Sequence, residues 1–341
     1  MTRASEPAPR DTLVGAWLIC LCVSVLAMVL VGGATRLTDS GLSITEWNLA
    51  KGLMPPPSAE RWTEEFALYQ RTTEYQLQNR GMSLTEFQSI YWWEWAHRFI
   101  GKMIGLVFAL PFVLLWATGH LRGRFLPVLG LFAMGALQGA VGWWMVTSGL
   151  FSGLDVSPVR LAIHLGLAFA ILAYALWLAL DAFGWPRGAS TLGAPGWVSF
   201  AVLGLIFCQV ILGALLAGAD GGPAYADWPT IGQEWWPSSA FALTPPWRNL
   251  VENHATQHLL HRSLGYVAAV CALGLAAQAA WRGAGLAKRL ALWLGALALV
   301  QVALGMGTVM MGTLPHLALA HQFVAAMLWL TALALARAGV R

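Results

Sequence analysis

The chain has 341 residues; 58% are apolar and only 11% are charged. An ordinary soluble domain carries roughly a quarter charged residues, so a disordered chain is excluded and a soluble enzyme very nearly so. Nineteen tryptophans and a mean hydropathy of +0.62 point to a chain that crosses a membrane several times. The net charge of +4 says little until the charges are sorted by side. Cys20, Cys22, Cys208 and Cys271 all lie in apolar runs and read as buried small residues, not as a disulfide framework.

Eight apolar stretches follow in chain order: Leu13–Gly33, Met103–Gly119, Phe125–Thr147, Leu161–Leu180, Gly196–Ala219, Ser263–Trp281, Leu290–Thr313 and Leu317–Ala336. Each approaches or exceeds the roughly 20 residues of a helical span, and none carries a charge in its middle. The second and sixth are short and extend N-terminally through His97-Arg98 and His261-Arg262. In lipid an open segment satisfies its backbone only as a helix. The first stretch, at 21 residues, exceeds the apolar core of a signal peptide and is expected to be a retained helix.

Lysine and arginine set the orientation. The N-terminus, the loops near 120–124, 181–187 and 282–289, and the C-terminus share one side. That side holds ten of the 20 basic residues and three of the 16 acids; it is expected to be cytoplasmic. The long segments 34–91 and 218–255 then face outside. Trp47, Trp92, Trp93, Trp95, Trp143, Trp144, Trp235 and Trp236 fit an aromatic belt at the outer interface.

The two halves match. Asp39-Ser40-Gly41 and Trp47 correspond to Asp220-Gly221-Gly222 and Trp228, displaced by 181. His97-Arg98 with Gly101 corresponds to His261-Arg262 with Gly265, displaced by 164, and Gln138 with Gly142 to Gln301 with Gly305, displaced by 163. Pro158 precedes His164 by six residues, as Pro315 precedes His321. An even number of spans per repeat sets both halves the same way up. The expected fold is all-α: eight transmembrane helices as two tandem four-helix bundles. Residues 1–12 and 337–341 are inner tails, 13–183 the first bundle, 184–195 an inner linker and 196–336 the second bundle.

Four of the eight histidines occupy repeat-equivalent places: His97, His164, His261 and His321. Each is expected five or six residues from the outer start of an even-numbered helix, about 8 Å below that end at ~1.5 Å per residue. Ionisable residues at that depth are costly and usually functional. One reading is helix-to-helix hydrogen bonding. The other is that facing imidazoles in a bundle ligate heme iron, His97 with His164 and His261 with His321. Arg98 and Arg262 are then placed to hold heme propionates, or to snorkel to the interface. No Cys-x-x-Cys-His occurs, which excludes covalent attachment, and no cluster suits zinc. His254 and His258 read as loop and helix-start residues, with a ligand role for His258 left open; His120 and His316 need no special role.

The halves differ in one informative way. Glu94 precedes His97 by three residues, where the second half has His258. Arg160 precedes His164 by four, where the second half has Leu317. Residues three apart share a helix face, so Glu94 is a candidate proton or charge partner beside the first histidine pair; an interface carboxylate at a helix N-terminus is the plainer reading.

With these residues in hand, the chain resembles the heme A synthase family over nearly its whole length. The resemblance rests on Gly33-Ala34-Thr35-Arg36-Leu37-Thr38-Asp39-Ser40-Gly41-Leu42-Ser43, on Glu94-Trp95-Ala96-His97-Arg98, on Glu252-Asn253 followed by His261-Arg262, and on His164 and His321. It implies oxidation of the C8 methyl group of heme O to a formyl group, through a hydroxymethyl and a hydrated aldehyde, giving heme A for cytochrome oxidase assembly. It implies that His97 and His164 flank the substrate heme, with Arg98 and Arg160 nearby. It implies that His261 and His321 ligate a heme b cofactor beside Arg262, and that Glu94 is the catalytic carboxylate. The absence of cysteines outside the spans matches the subgroup of proteobacteria and mitochondria. The implied location is the bacterial inner membrane, with both termini cytoplasmic and the heme sites toward the periplasm. The electron donor is left open between a ferredoxin-like protein and a quinol. Heme O synthase and a second copy of the chain are candidate partners; nothing points to nucleic acid. A diheme electron carrier accounts for the histidines but leaves Glu94 and Arg160 without a reason. A transporter would expect charges near the midplane, where there are none.

Overall fold

The computed structural model describes residues 10–46, 51–150, 153–185 and 196–339. Expectations placed on Trp47, on the outer parts of both tails and on most of the linker 184–195 fall outside those residues. The described elements are helices: α1 Thr12–Leu37, α2 Ala59–Tyr69, α3 Thr73–Leu77, α4 Leu84–Ala117, α5 Phe125–Leu150, α6 Pro158–Ala182, α7 Gly196–Gly218, α8 Arg248–Glu252, α9 His254–Arg282, α10 Gly285–Met310 and α11 Pro315–Ala338, with two short 3-10 turns. Eight of them, α1, α4 to α7 and α9 to α11, are long and apolar enough to cross a membrane. The chain is an all-α, multi-pass membrane protein.

The starts of the spans follow local chemistry. The Asp11 carboxylate accepts from the amides of Leu13 and Val14, each at 3.1 Å, and opens α1. Ser83 and Glu86 form a reciprocal capping box at the start of α4, and Asn253 caps α9 by accepting from Thr256 at 3.1 Å. Pro158 and Pro315 open α6 and α11, where a missing amide hydrogen costs nothing. That shared start fixes the Pro-to-His spacing as a depth of about 9 Å at 1.5 Å per residue.

Within the first half α1 packs on α4 and α6, and α5 on α6; within the second, α7 packs on α9 and α11, and α10 on α9 and α11. α6 against α7 and α1 against α11 join the halves. The Trp329 indole of α11 donates to the Phe169 carbonyl of α6 at 2.9 Å and its ring meets Phe207 of α7 at 5.4 Å. Gln322 of α11 donates to the Val29 carbonyl of α1 at 2.9 Å. A Cβ on Gly33 would lie 2.0 Å from the Gln322 amide oxygen, so a side chain there would displace the Gln322 amide from this position. At the opposite end Arg337 of α11 pairs with Asp181 of α6. Large apolar side chains such as Leu110, Leu137, Val270 and Trp293 stand exposed, as helix faces against lipid require.

Three features depart from the expectations. The first outer segment carries α2 and α3, because Trp62, Phe66 and Tyr69 share a face and pack on Phe87 and Tyr91. That packing prolongs α4 to 34 residues, roughly 50 Å and well beyond a ~30 Å hydrocarbon core. His97 therefore lies 13 residues after Leu84 and not five or six. Cys20 and Cys208 are exposed and only Cys22 is fully buried; a lipid-facing helix surface accepts a small apolar thiol as readily as a core does. Trp95 lines the internal cavity and stacks on Phe99 at 4.9 Å, whereas Trp92, Trp93, Trp143, Trp144, Trp235 and Trp236 are exposed.

Candidate heme sites and their carboxylate

One continuous cavity of about 1420 Å³ runs through both halves toward the end that carries the long loops. That exceeds the ~300–1,000 Å³ of an ordinary single-ligand pocket. His97, His164, His261 and His321 all line it. His97 and His164 stand on α4 and α6 of the first half, and His261 and His321 on α9 and α11 of the second. Among the described residues no three His, Cys, Asp or Glu side chains gather as a metal site.

Each imidazole lies against a glycine of the neighbouring helix. A Cβ on Gly142, Gly213 or Gly305 would sit 2.9, 2.9 or 3.0 Å from Cε1 of His164, His261 or His321; on Gly32 it would sit 3.1 Å from Nε2 of His97. Four residues before three of these glycines stands a glutamine. The Gln138 amide nitrogen lies 3.3 Å from both ring nitrogens of His164 and donates to that residue's carbonyl at 3.0 Å. Gln209 approaches the His261 ring at 3.1 and 3.3 Å and donates to its carbonyl at 2.9 Å. Gln301 lies 3.2 Å from His321 Nε2. In the fourth case the residue four before Gly32 is Met28, whose side chain fills toward Gly101 the space that Gln209 fills toward Gly265. Three rings are tethered; among the described residues His97 has no such tether. Gln138 and Gln301 were visible in the repeat, but their contact with histidine was not. Gln209 and Gly213 repeat the same four-residue spacing on the helix before His261, and that signal was missed.

Donor set and cradle both fit heme. Two imidazoles per half suit axial ligation, the glycines leave the space that a side chain would fill, and His321 Nδ1 is buried without a partner.

Glu94 is 2% exposed and saturated with donors. Its Oε2 accepts from Ser43 Oγ at 2.8 Å and the Ile44 amide at 2.7 Å; its Oε1 accepts from Arg98 Nε at 3.0 Å and Nη2 at 2.5 Å. Arg98 also donates to the carbonyls of Glu46 at 2.9 Å and Ile44 at 2.8 Å. The pair clamps the loop after α1 onto α4. Arg262 does the same in the second half, donating to the carbonyls of Asp227 and Thr230 at 2.9 and 2.8 Å. His258 holds Arg262 as Glu94 holds Arg98: its Nδ1 accepts from Nη2 at 3.1 Å, and its Nε2 donates to the Gly221 carbonyl at 2.8 Å. Both ring nitrogens of His258 are thus engaged in holding the loop. Both arginines border the cavity, yet these donors face loop carbonyls. Arg160 does not line it: Nη1 donates to the Trp144 carbonyl at 2.6 Å, and the guanidinium lies 4.6 Å over the Trp144 ring. His254 meets Gln257 at 3.2 Å and His120 meets Asp11 at 2.6 Å.

At the loop end Arg36 gathers three carboxylates, Asp39 at 2.8 Å, Asp155 at 3.7 Å, and Asp220 from the other half. The repeat-matched Asp39 and Asp220 both adopt left-handed backbone, φ 46° and 52°, which aspartate tolerates. Burial, reinforced by Asp220 and Asp39 and opposed by Arg36, pushes the Asp155 carboxyl above its ordinary range.

Comparison with known proteins agrees with this architecture. The family model described as cytochrome oxidase assembly protein matches residues 15–333. The heme A synthase of Maricaulis maris is 44% identical over 329 residues, covering 96% of this chain and 96% of its own length. Those of Chelativorans sp. and Parvibaculum lavamentivorans are 46% and 44% identical, covering 94% and 90% of this chain and 90% and 88% of their own lengths. An eight-helix membrane protein that matches these relatives over nine-tenths or more of its length belongs to the heme A synthase family.

Proposed function

We propose that the chain converts heme O to heme A by oxidising the C8 methyl group of the porphyrin to a formyl group. The substrate heme lies between His97 and His164, and a heme b cofactor between His261 and His321. The observation that carries this reading is the set of four imidazole–glycine contacts along one cavity, divided two and two between the halves. The tethers support the assignment of roles. In the second half Gln209 and Gln301 fix both rings, which suits a resident group. In the first half Gln138 fixes His164 while His97 has no glutamine beside it among the described residues, which suits a ligand that enters and leaves. When bound, heme b supplies one-electron redox chemistry. The residues of the chain then hold the rings, exclude lipid and place charge. The Glu94 carboxyl group, held by Arg98, Ser43 and the Ile44 amide, stands three residues from His97, and a carboxylate there stabilises cationic character developing at the methyl carbon. The hydroxymethyl and hydrated aldehyde are the expected stages. The likeness to bacterial heme A synthases supports the inner membrane of a bacterium, and the cation placement supports cytoplasmic termini with the heme sites toward the periplasm.

The test is expression in a host that makes heme O but no heme A, followed by chromatography and mass analysis of the membrane hemes. Heme A or its hydroxylated precursor is expected. A folded, heme-loaded protein that leaves heme O unaltered with an electron donor supplied would refute the reading in favour of a diheme electron carrier. His261→Ala and His321→Ala should each lose the resident heme.

A further inference from the structure

Glu94 is well built to hold a negative charge and poorly built to move a proton. Both its oxygens are filled by hydrogen-bond donors, and protonation would break the pair with Arg98. A second carboxyl borders the same cavity. Glu74 stands on α3, is 4% exposed, and lines the cavity together with Glu94, Asp39 and Asp155. Its Oε1 receives a long contact from Asn79 at 3.5 Å, the Tyr69 hydroxyl also bears on the carboxyl and favours its charged form, and its Oε2 is buried with no hydrogen-bond partner among the described residues. The groups acting on it are Glu94 of α4, Asp39 after α1, Asp155 between α5 and α6, and the Tyr69 hydroxyl of α2; no cation is among them, since Arg36 is engaged by Asp39, Asp155 and Asp220.

We propose that Glu74 is the proton-holding residue of the substrate site, receiving protons released in the cavity and passing them to the aqueous mouth. This rests on the function proposed above, in which the methyl carbon gives up protons along with its electrons. The step moves protons only. The neutral Glu74 carboxyl gives its proton to water beside Asp39, Asp155 and Asp220, whose side chains are 52%, 40% and 56% exposed and reach from the cavity to solvent. The resulting carboxylate then takes the next proton from the cavity. Burial first, and then the charges of Glu94, Asp39 and Asp155, push the Glu74 carboxyl up to about 8. It is therefore neutral at pH 7 and close to balance between its two forms, the condition under which a carboxyl transfers protons efficiently. Glu94 and Glu74 divide the work between them: one is held by fixed donors, the other exchanges its proton.

The experiment uses the full-length protein in detergent. The infrared C=O band of protonated carboxyls is followed from about pH 5 to pH 10 in wild type, Glu74→Gln and Glu74→Asp. Wild type should lose a band with a midpoint near 8, and Glu74→Gln should lack that band. Heme O conversion is measured on the same preparations. Glu74→Gln should convert heme O about 10²-fold or more slowly, with the limb near that pH missing from its profile, and with bound heme retained. Glu74→Asp should recover part of the rate. A band that persists in Glu74→Gln overturns the proposal, as does a wild type with no carboxyl titrating in that range. So does a variant rate and pH profile equal to wild type. A wild type that makes no heme A refutes the proposed function instead, and the infrared band still tests where the proton resides.

Discussion

Replacing Gly213 by alanine places a methyl group 2.9 Å from Cε1 of His261. Carbon atoms rest at about 3.5–4.0 Å, so roughly 0.6–1.1 Å must be found. The ring has little freedom to give it. Gln209 lies 3.1 and 3.3 Å from its two nitrogens and holds the same residue's carbonyl at 2.9 Å. The clash must therefore rotate the imidazole away from its tether or part α7 from α9. Overpacking of this kind costs about 1–3 kcal/mol. At about 1.4 kcal/mol per tenfold, affinity for heme b in the second half should fall by between about fivefold and about 150-fold. The assay is titration of the apo-protein with heme, followed by the absorption bands of a heme with two imidazole ligands. Gly204→Ala and Gly274→Ala are the matched controls: they lie on α7 and α9, and an added Cβ there meets nothing within 4 Å. Both should bind heme as wild type does. Unchanged affinity and spectrum in Gly213→Ala would show that the contact does not orient His261.

Glu94→Gln should retain both hemes yet lose formation of the formyl product, because an amide cannot carry the charge that Arg98, Ser43 and Ile44 stabilise; normal heme A output on chromatography would remove Glu94 from the chemistry. Asp181→Asn leaves Arg337, 1% exposed and over the Trp177 ring at 4.7 Å, without its carboxylate. A loss of about 3–5 kcal/mol is expected, read as a lower unfolding midpoint in detergent; an unshifted midpoint would mean that the pair contributes nothing. Glu74→Gln should also change stability with pH. The folded value of about 8 lies above the ordinary carboxyl value of 4.5, so the unfolded chain releases this proton first. The contribution of Glu74 is fully present below pH 4.5 and is lost as pH rises to about 8. The glutamine variant should therefore melt increasingly above wild type from about pH 5 to pH 8; parallel melting curves across that range would contradict a neutral buried Glu74.

What the sequence determined by itself was the membrane fold and the identity of the four histidines. Transfer from water to lipid is a property of each segment of about 20 residues, so eight spans could be read without knowing which helix touches which. The Pro-to-His spacing in α6 and α11 is likewise local, because Pro158 and Pro315 begin their helices. The rest was decided by tertiary contacts. Whether Arg98 faces a ligand or the carbonyls of Glu46 and Ile44 depends on where the loop after α1 lands. The depth of His97 depends on α2, whose aromatic face prolongs α4 beyond the membrane. The tethering of His261 by Gln209 depends on α7 meeting α9, a pairing that no spacing within one helix encodes. Glu74 carried no signal at all in the sequence. Its burial beside Glu94, Asp39 and Asp155 exists only once four separate segments close over the same cavity. In a membrane protein hydropathy places helices in lipid with large free energies. Side-chain packing then chooses their neighbours with small ones, and the chemistry of the site belongs to that second step.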